Sequence, residues 1–304
     1  MDRATVSPGN SLLALIFLSI APVLWGGNFV VGRFIGPDIP AFWLNFMRWA
    51  IAAVVLLPFG ARSLVQEFGT IKQEIGRVAV LSVLGIVGVN TLIYLSLRYA
   101  TATEALIGFS LSPFLILMML TLIEHHRPNR KIILAASVSM VGVVLAASHD
   151  LSSLWGVDRD WRIILVFAAT FVWSIYCVAL KKLPLKASPI GGFLAQILFG
   201  LTLQAVYALV FLEPPDISAI GEAQCFAIAY LGVFAAAAAF LLWQAGIRSA
   251  GAATASVFVN LIPLSGMLLA WIFLGETMSI IQFFGVLLIL LGVLVNSLSA
   301  VLSH

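Results

Sequence analysis

Nine residues carry the groups that could recognise a small molecule, and their spacing repeats along the chain. Trp25 and Asn28 are three residues apart and so share a helix face, as do Trp173 and Tyr176, which follow them by 148 positions. Asn90 and Tyr94 stand one helical turn apart, and Gln244 follows Tyr94 by 150 positions. Ser110 and Asn260 are also 150 positions apart, each three residues before a proline, Pro113 or Pro263. Indole and phenol rings offer flat apolar faces, while carboxamides and hydroxyls offer hydrogen bonds. With no opposing charges in the set, the ligand it suits is small and neutral or zwitterionic.

Covalent chemistry has no equivalent support. The chain lacks a paired-Asp diphosphate motif, His-Glu-x-x-His, Gly-x-Ser-x-Gly and a Walker loop. His125 and His126 are neighbours and cannot face each other on a helix, while Cys177 and Cys225 belong to no metal or redox spacing. The sequence therefore predicts a non-enzyme with no catalytic residue, no metal and no cofactor.

The elements that must position the nine residues are membrane helices. Hydrophobic residues are 62% of the 304 and charged ones 10%, against about 45–50% and about 25% in a soluble domain. Apolar stretches long enough to span a bilayer lie near 12–33, 41–60, 78–97, 104–123, 132–148, 163–180, 191–212, 226–247, 252–274 and 281–302. The period-two alternation of a β-barrel is absent. The fold class read from this pattern is all-α integral membrane, with ten transmembrane helices.

Those ten divide into two units. A shift of 150 sets Arg98 on Arg248, Ala105 on Ala255, Pro113 on Pro263 and Gly142 on Gly292, and a shift of 148 sets residues 25–33 on 173–181. The units are residues 1–148 and 163–304, joined by an outer linker at 149–162. Five spans is an odd number, so the second unit must enter the membrane with the opposite orientation. This gives two inverted five-helix repeats.

Charge sets the sidedness. With the amino terminus inside, the inner segments hold Arg3, Arg62, Lys72, Arg77, Arg127, Arg130, Lys131, Lys181, Lys182, Lys186 and Arg248, whereas the outer ones hold Arg33, Arg98, Arg159 and Arg162. This bias places both termini in the cytoplasm. The net charge of +3 is spread over short loops and forms no nucleic-acid face. Ser19-Ile-Ala21 has the small residues of a signal cleavage site, but Pro22 would follow the cut and the apolar run continues to Val31, so it reads as a retained helix.

For any one of the nine residues, packing is an equal alternative to ligand contact. An intramembrane Asn, Gln or Ser bond between helices is worth roughly 0.6–2 kcal/mol, and Trp and Tyr anchor at interfaces. Polar residues at equivalent positions in both units favour the cavity reading for the set. Pro113 and Pro263 are expected to kink their spans and open the cavity. Glycines at 26–27, 85–88 and 191–192 are expected to serve close helix approach. Arg48 and Glu104, the two ionisable residues within spans, are expected toward the outer side, paired with each other or with the lipid interface. No carboxylate is expected near the midplane, so transport would not run on a deep proton-binding Glu.

The ordered set Trp25-Gly26, Arg48, Ala100 through Pro113, Glu124 and Gly142, repeated as Ala250 through Pro263, Glu276 and Gly292, resembles the drug/metabolite transporter superfamily. Within it, the chain is most similar to the ten-helix EamA-type exporters, including those for aromatic amino acids. The resemblance implies a secondary transporter in the bacterial inner membrane that exports small neutral or zwitterionic metabolites, amino acids above all, by alternating access. Multidrug or purine-type efflux is the alternative, with a lipid-handling membrane protein as a more distant one. The implied partners are the small-molecule substrate and the bilayer, with no nucleic acid; a monomer is compatible with the sequence.

Overall fold

The structure is a computed structural model that describes residues 8–35, 38–99, 102–124, 130–146, 164–215, 220–274 and 279–302. Among them every regular element is helical. The amino-terminal unit contributes α1 (Pro8–Ile35), α2 (Ala41–Gln66), the short α3 (Phe68–Gln73), α4 (Ile75–Leu81), α5 (Val89–Ser96), α6 (Ala102–Phe109), α7 (Ser112–Glu124) and α8 (Arg130–Ala146). The second unit contributes α9 (Ile164–Lys182), α10 (Pro189–Phe211), α11 (Glu222–Tyr230), α12 (Ala239–Ala250), α13 (Ala252–Phe258), α14 (Leu261–Leu274) and α15 (Ile280–Leu302).

Six continuous helices among the described residues are long and apolar enough to cross a membrane, starting at Leu12, Ala41, Ile75, Ile164, Pro189 and Glu222. The predicted fourth and ninth spans are instead each broken in two, at Ser110–Leu111 between α6 and α7 and at Val259–Asn260 between α13 and α14. Pro113 and Pro263 then fall within the first turn of the second half-helix, where a missing N–H leaves no intrahelical bond unmade. The prolines thus stand beside a break rather than at a bend in a continuous helix. At Gly251, φ is +82°, a value glycine tolerates, and the chain turns there from α12 into α13.

Two further irregularities are spaced like the sequence repeat. Residues Ser82–Gly88, joining α4 to α5, and Leu231–Ala238, joining α11 to α12, are π-helical. A π-turn shifts the hydrogen-bond register and leaves carbonyls for other partners. Asn45 from α2 uses this opening, donating from Nδ2 to Ile86 O at 3.0 Å.

Helix faces follow polarity and size. On α2, Leu44, Asn45, Arg48, Trp49, Ala52 and Leu56 recur at helical spacing and are buried, whereas Val54 and Phe59 on the other side are 67% and 70% exposed. An apolar outer surface of this kind is solvated by lipid chains.

Equivalent helices of the two units pack antiparallel. Between α2 and α10, Phe42 meets Tyr207 with ring centroids 5.5 Å apart, Asn45 Nδ2 donates to Gln204 Oε1 at 3.2 Å, and Gly60 faces Ile190. Along α8 and α15, Ser139 Oγ donates to Ile289 O at 3.3 Å, Gly142 faces Gly285, and Gly292 faces Ala135. Contacts also interchange between units, since α1 packs on α12 and α14 while α9 packs on α5 and α7. Gly85 is one of the close approaches: a Cβ there would lie 2.5 Å from Cε2 of the Tyr176 ring.

One end of the bundle is clasped by polar contacts. Glu67 accepts from Ser188 N and Oγ at 2.8 and 2.9 Å, and Glu74 accepts from Lys186 N at 2.9 Å. Ser188 in turn caps α10 by accepting from Gly191 N. Glu124 at the end of α7 pairs with Lys181 and Lys182 at 2.7 and 2.8 Å. At the opposite end, among the described residues, Gln224 donates to Asp38 at 3.0 Å and Trp43 donates to Glu213 O at 3.2 Å.

Candidate functional site

All nine residues singled out in the sequence are buried. Four of them, Trp25, Asn28, Asn90 and Trp173, line one internal cavity together with Phe29, Val89, Ile93, Phe109, Phe240 and Ile262. The wall draws on α1, α5 and α6 from one unit and on α9, α12 and α14 from the other. Its free volume is about 20 Å³, room for a single water. The site is contracted around its own side chains.

The aromatic wall is continuous. Trp25 lies edge-on to Trp173, Phe240 and Trp243 with centroids 5.0, 5.2 and 5.3 Å apart, and Phe109 is 5.9 Å from Trp173. Trp25 is fixed in that pose by its own donor: Nε1 bonds Ala235 O, a carbonyl of the second π-turn, at 2.9 Å. Trp173 Nε1 is buried with no hydrogen-bond partner among the described residues.

The polar wall is organised by a residue that the sequence reading set elsewhere. Arg48, fully buried, donates from Nη1 to Asn28 Oδ1 at 3.0 Å, Asn90 Oδ1 at 2.6 Å and Tyr94 Oη at 2.8 Å, and from Nη2 to Ala235 O at 3.0 Å. Tyr94 Oη also donates to Asn28 Oδ1 at 2.7 Å. The expectation that Arg48 could meet the lipid interface is therefore corrected. It lies on the same buried face of α2 as Asn45 and Trp49, and among the described residues its acceptors belong to α1, α5 and the second π-turn. The side chain of Glu104, its expected partner, lies outside the described residues. Arg48 could have been found from its register, three residues after Asn45 and four before Ala52 on the small and polar stripe of α2.

The remaining residues fall into two groups. Gln244 Nε2 donates to Tyr176 Oη at 3.1 Å, and Tyr176 stacks beside Trp173 at 5.6 Å. This pair occupies positions equivalent, by the sequence shifts, to Tyr94 and Asn28, so one polar contact is built twice. Ser110 and Asn260 stand at the two helix breaks. Both amide atoms of Asn260 are buried without a hydrogen-bond partner among the described residues. The apolar liners Phe29, Phe109 and Phe240 carried no signal in sequence, because phenylalanine is abundant in every span.

Residues 12–148 and, separately, residues 160–298 match the EamA-like transporter family. The chain belongs to that family. It is thus a multi-pass membrane protein of a transporter family. Among its relatives, the uncharacterized transporter YyaM of Bacillus subtilis (strain 168) is 25% identical over 275 residues, which is 89% of this chain and 87% of that protein. The uncharacterized inner membrane transporter YicL of Salmonella typhimurium (strain LT2) is 26% identical over 301 residues, 96% of this chain and 97% of YicL. A solved crystal structure superposes on this EamA-like protein with a TM-score of 0.76, over 94% of this chain and 97% of the other, at 20% identity. At that identity the likeness speaks to the fold alone.

Proposed function

We propose that the protein exports small metabolites, amino acids including aromatic ones, across the bacterial inner membrane by alternating access. Its two halves then act as inverted five-helix repeats on either side of one site, with both termini in the cytoplasm. The observation that carries this reading is the cavity built jointly by both halves from Trp25, Trp173, Asn28 and Asn90. Antiparallel pairing of equivalent helices and the separate family match of each half support the inversion. Inner-membrane residence follows the likeness to YicL, an inner membrane transporter by name.

In this reading the structure captures an occluded state, since a cavity of about 20 Å³ must enlarge severalfold to hold an amino acid. Helix breaks beside Ser110 and Asn260 and the two π-turns are the places where half-helices can move without breaking a full ladder of bonds.

Uptake into proteoliposomes tests the function. Labelled phenylalanine should equilibrate across the membrane without any ion gradient, and Ala at Asn28, Tyr94, Tyr176 or Asn260 should slow it by about tenfold or more. Normal rates in all four variants at equal incorporation would dismiss the site. An imposed pH difference should not concentrate the substrate; accumulation that a protonophore collapses, and that Glu104→Gln loses, would instead make Glu104 a proton-coupling group.

Topology has its own test. Cysteines placed at Asp158 and Asp216 should react with an impermeant thiol reagent added outside intact cells, and one at Lys131 should not. Outside labelling at 131 would reverse the assigned orientation and the direction of transport with it.

A further inference from the structure

Among the described residues, Arg48 is a buried cation whose bonded acceptors are all neutral. Its Nη1 and Nη2 donate to two amide oxygens, one phenol oxygen and one backbone carbonyl, and its Nε has no partner among the described residues. None of the described carboxylates forms an ion pair with it. A guanidinium held in low dielectric with no counter-ion among the described residues is costly unless an anion joins it for part of its working cycle.

The cavity beside it is made to receive an acceptor. A guanidinium can only donate, so the oxygen ends of Asn28 and Asn90 must face Arg48, and what each amide has left over lies at its N–H2 end, where Asn90 spends one N–H on Gly85 O at 3.5 Å and keeps the other. Both asparagines line the cavity. Trp173, another liner, holds an Nε1–H with no partner among the described residues. Unspent donors, a nearby positive charge and no acidic liner among the described residues favour a carboxylate over an ammonium.

We infer that Arg48 is the substrate anchor of this transporter, and that the substrate class is the organic carboxylate with an aromatic or apolar body. The carboxylate takes over the Nη1 and Nε donors as Asn28, Asn90 and Tyr94 move aside, while the body lies among Trp25, Trp173 and Phe240. An α-ammonium is tolerated but not required. This inference rests on the transport reading above and narrows it: a deaminated acid should travel as well as its amino acid, and an amine should not travel.

The test compares four labelled probes of one body in proteoliposomes, each corrected for protein-free vesicles: 3-phenylpropionate, phenylalanine, phenylalanine amide and 2-phenylethylamine. The two carboxylates should enter faster than the amide and the amine by about tenfold or more, the penalty of like charge near Arg48. Arg48→Lys should keep that order at lower rates, whereas Arg48→Gln should lose carboxylate uptake by about a hundredfold. The wild-type comparison decides the matter even if Arg48→Gln fails to fold. Equal uptake of phenylalanine and its amide overturns the anchor while leaving amino-acid transport intact. Uptake of 3-phenylpropionate without phenylalanine overturns the amino-acid reading and keeps the anchor. Movement of no probe overturns both.

Discussion

Gly26→Val should leave little or no folded protein. A Cβ at position 26 would collide with Ser265 Oγ and lie 2.8 Å from Ser265 Cβ and 2.7 Å from the backbone nitrogen of Gly266. Side chains can swing away, but the backbone of α14 cannot, so α1 and α14 would have to separate. Overpacking by a single methylene costs about 1–3 kcal/mol, and a branched side chain against backbone should exceed that, out of a total stability of roughly 5–15 kcal/mol. The yield of monodisperse protein and its thermal midpoint in detergent give the readout. Gly76→Ala is the control, because nothing lies within 4 Å of a Cβ there; helix propensity alone predicts a gain of up to about 1 kcal/mol. Equal stability of Gly26→Val and wild type would mean that α1 and α14 do not pack face to face.

The second large effect concerns the bonds around Arg48. Asn28→Ala removes an acceptor used at once by Arg48 Nη1 and Tyr94 Oη. Bonds to charged groups are worth about 1.5–3 kcal/mol, so the variant should lose about that much stability as well as transport. Combined with Tyr94→Phe in a double-mutant cycle, the two should couple by at least about 1 kcal/mol, as members of one network do. The equivalent pair in the second half makes a single neutral bond between Gln244 and Tyr176, and its coupling should be near the average of about 0.6 kcal/mol for neutral bonds between membrane helices. Added salt should change neither value, since ions do not screen buried groups. Equal coupling in the two pairs would show that Arg48 adds nothing to the first.

The contrast between those pairs explains why the two halves of one repeat need not do the same work. Position 28 is Asn and its counterpart 176 is Tyr, and Arg48 corresponds by the same shift to Gln196. Gln196 is buried as well, but its Nε2 bonds Gly192 O on its own helix at 3.2 Å. Of these two matched positions only the amino-terminal one carries a charge. In the proposed site this puts the charged anchor in the amino-terminal half, while the aromatic liners come from both, Trp25, Phe29 and Phe109 from the first and Trp173 and Phe240 from the second.

Composition, span lengths and the internal match at shifts of 148 and 150 were sufficient to read a helical membrane protein, because the bilayer admits few ways of satisfying a backbone and each leaves a mark on sequence. The pairing of Trp25 with Asn28 and of Trp173 with Tyr176 was likewise legible, since helical spacing alone puts such residues on one face. Three things needed the tertiary structure. The sequence showed prolines at 113 and 263, but whether the chain bends or stops beside them depends on neighbours that can hold two half-helices. The π-turns at 82–88 and 231–238 have no residue signature, because Asn45, Trp25 and Arg48 reach their carbonyls from other helices. Arg48 was open to pairing with Glu104 or with the lipid interface because depth along a span can be counted in sequence, whereas the direction a side chain faces depends on which helices surround it. Only the packing of α1, α5 and the second π-turn around α2 turned that charge inward.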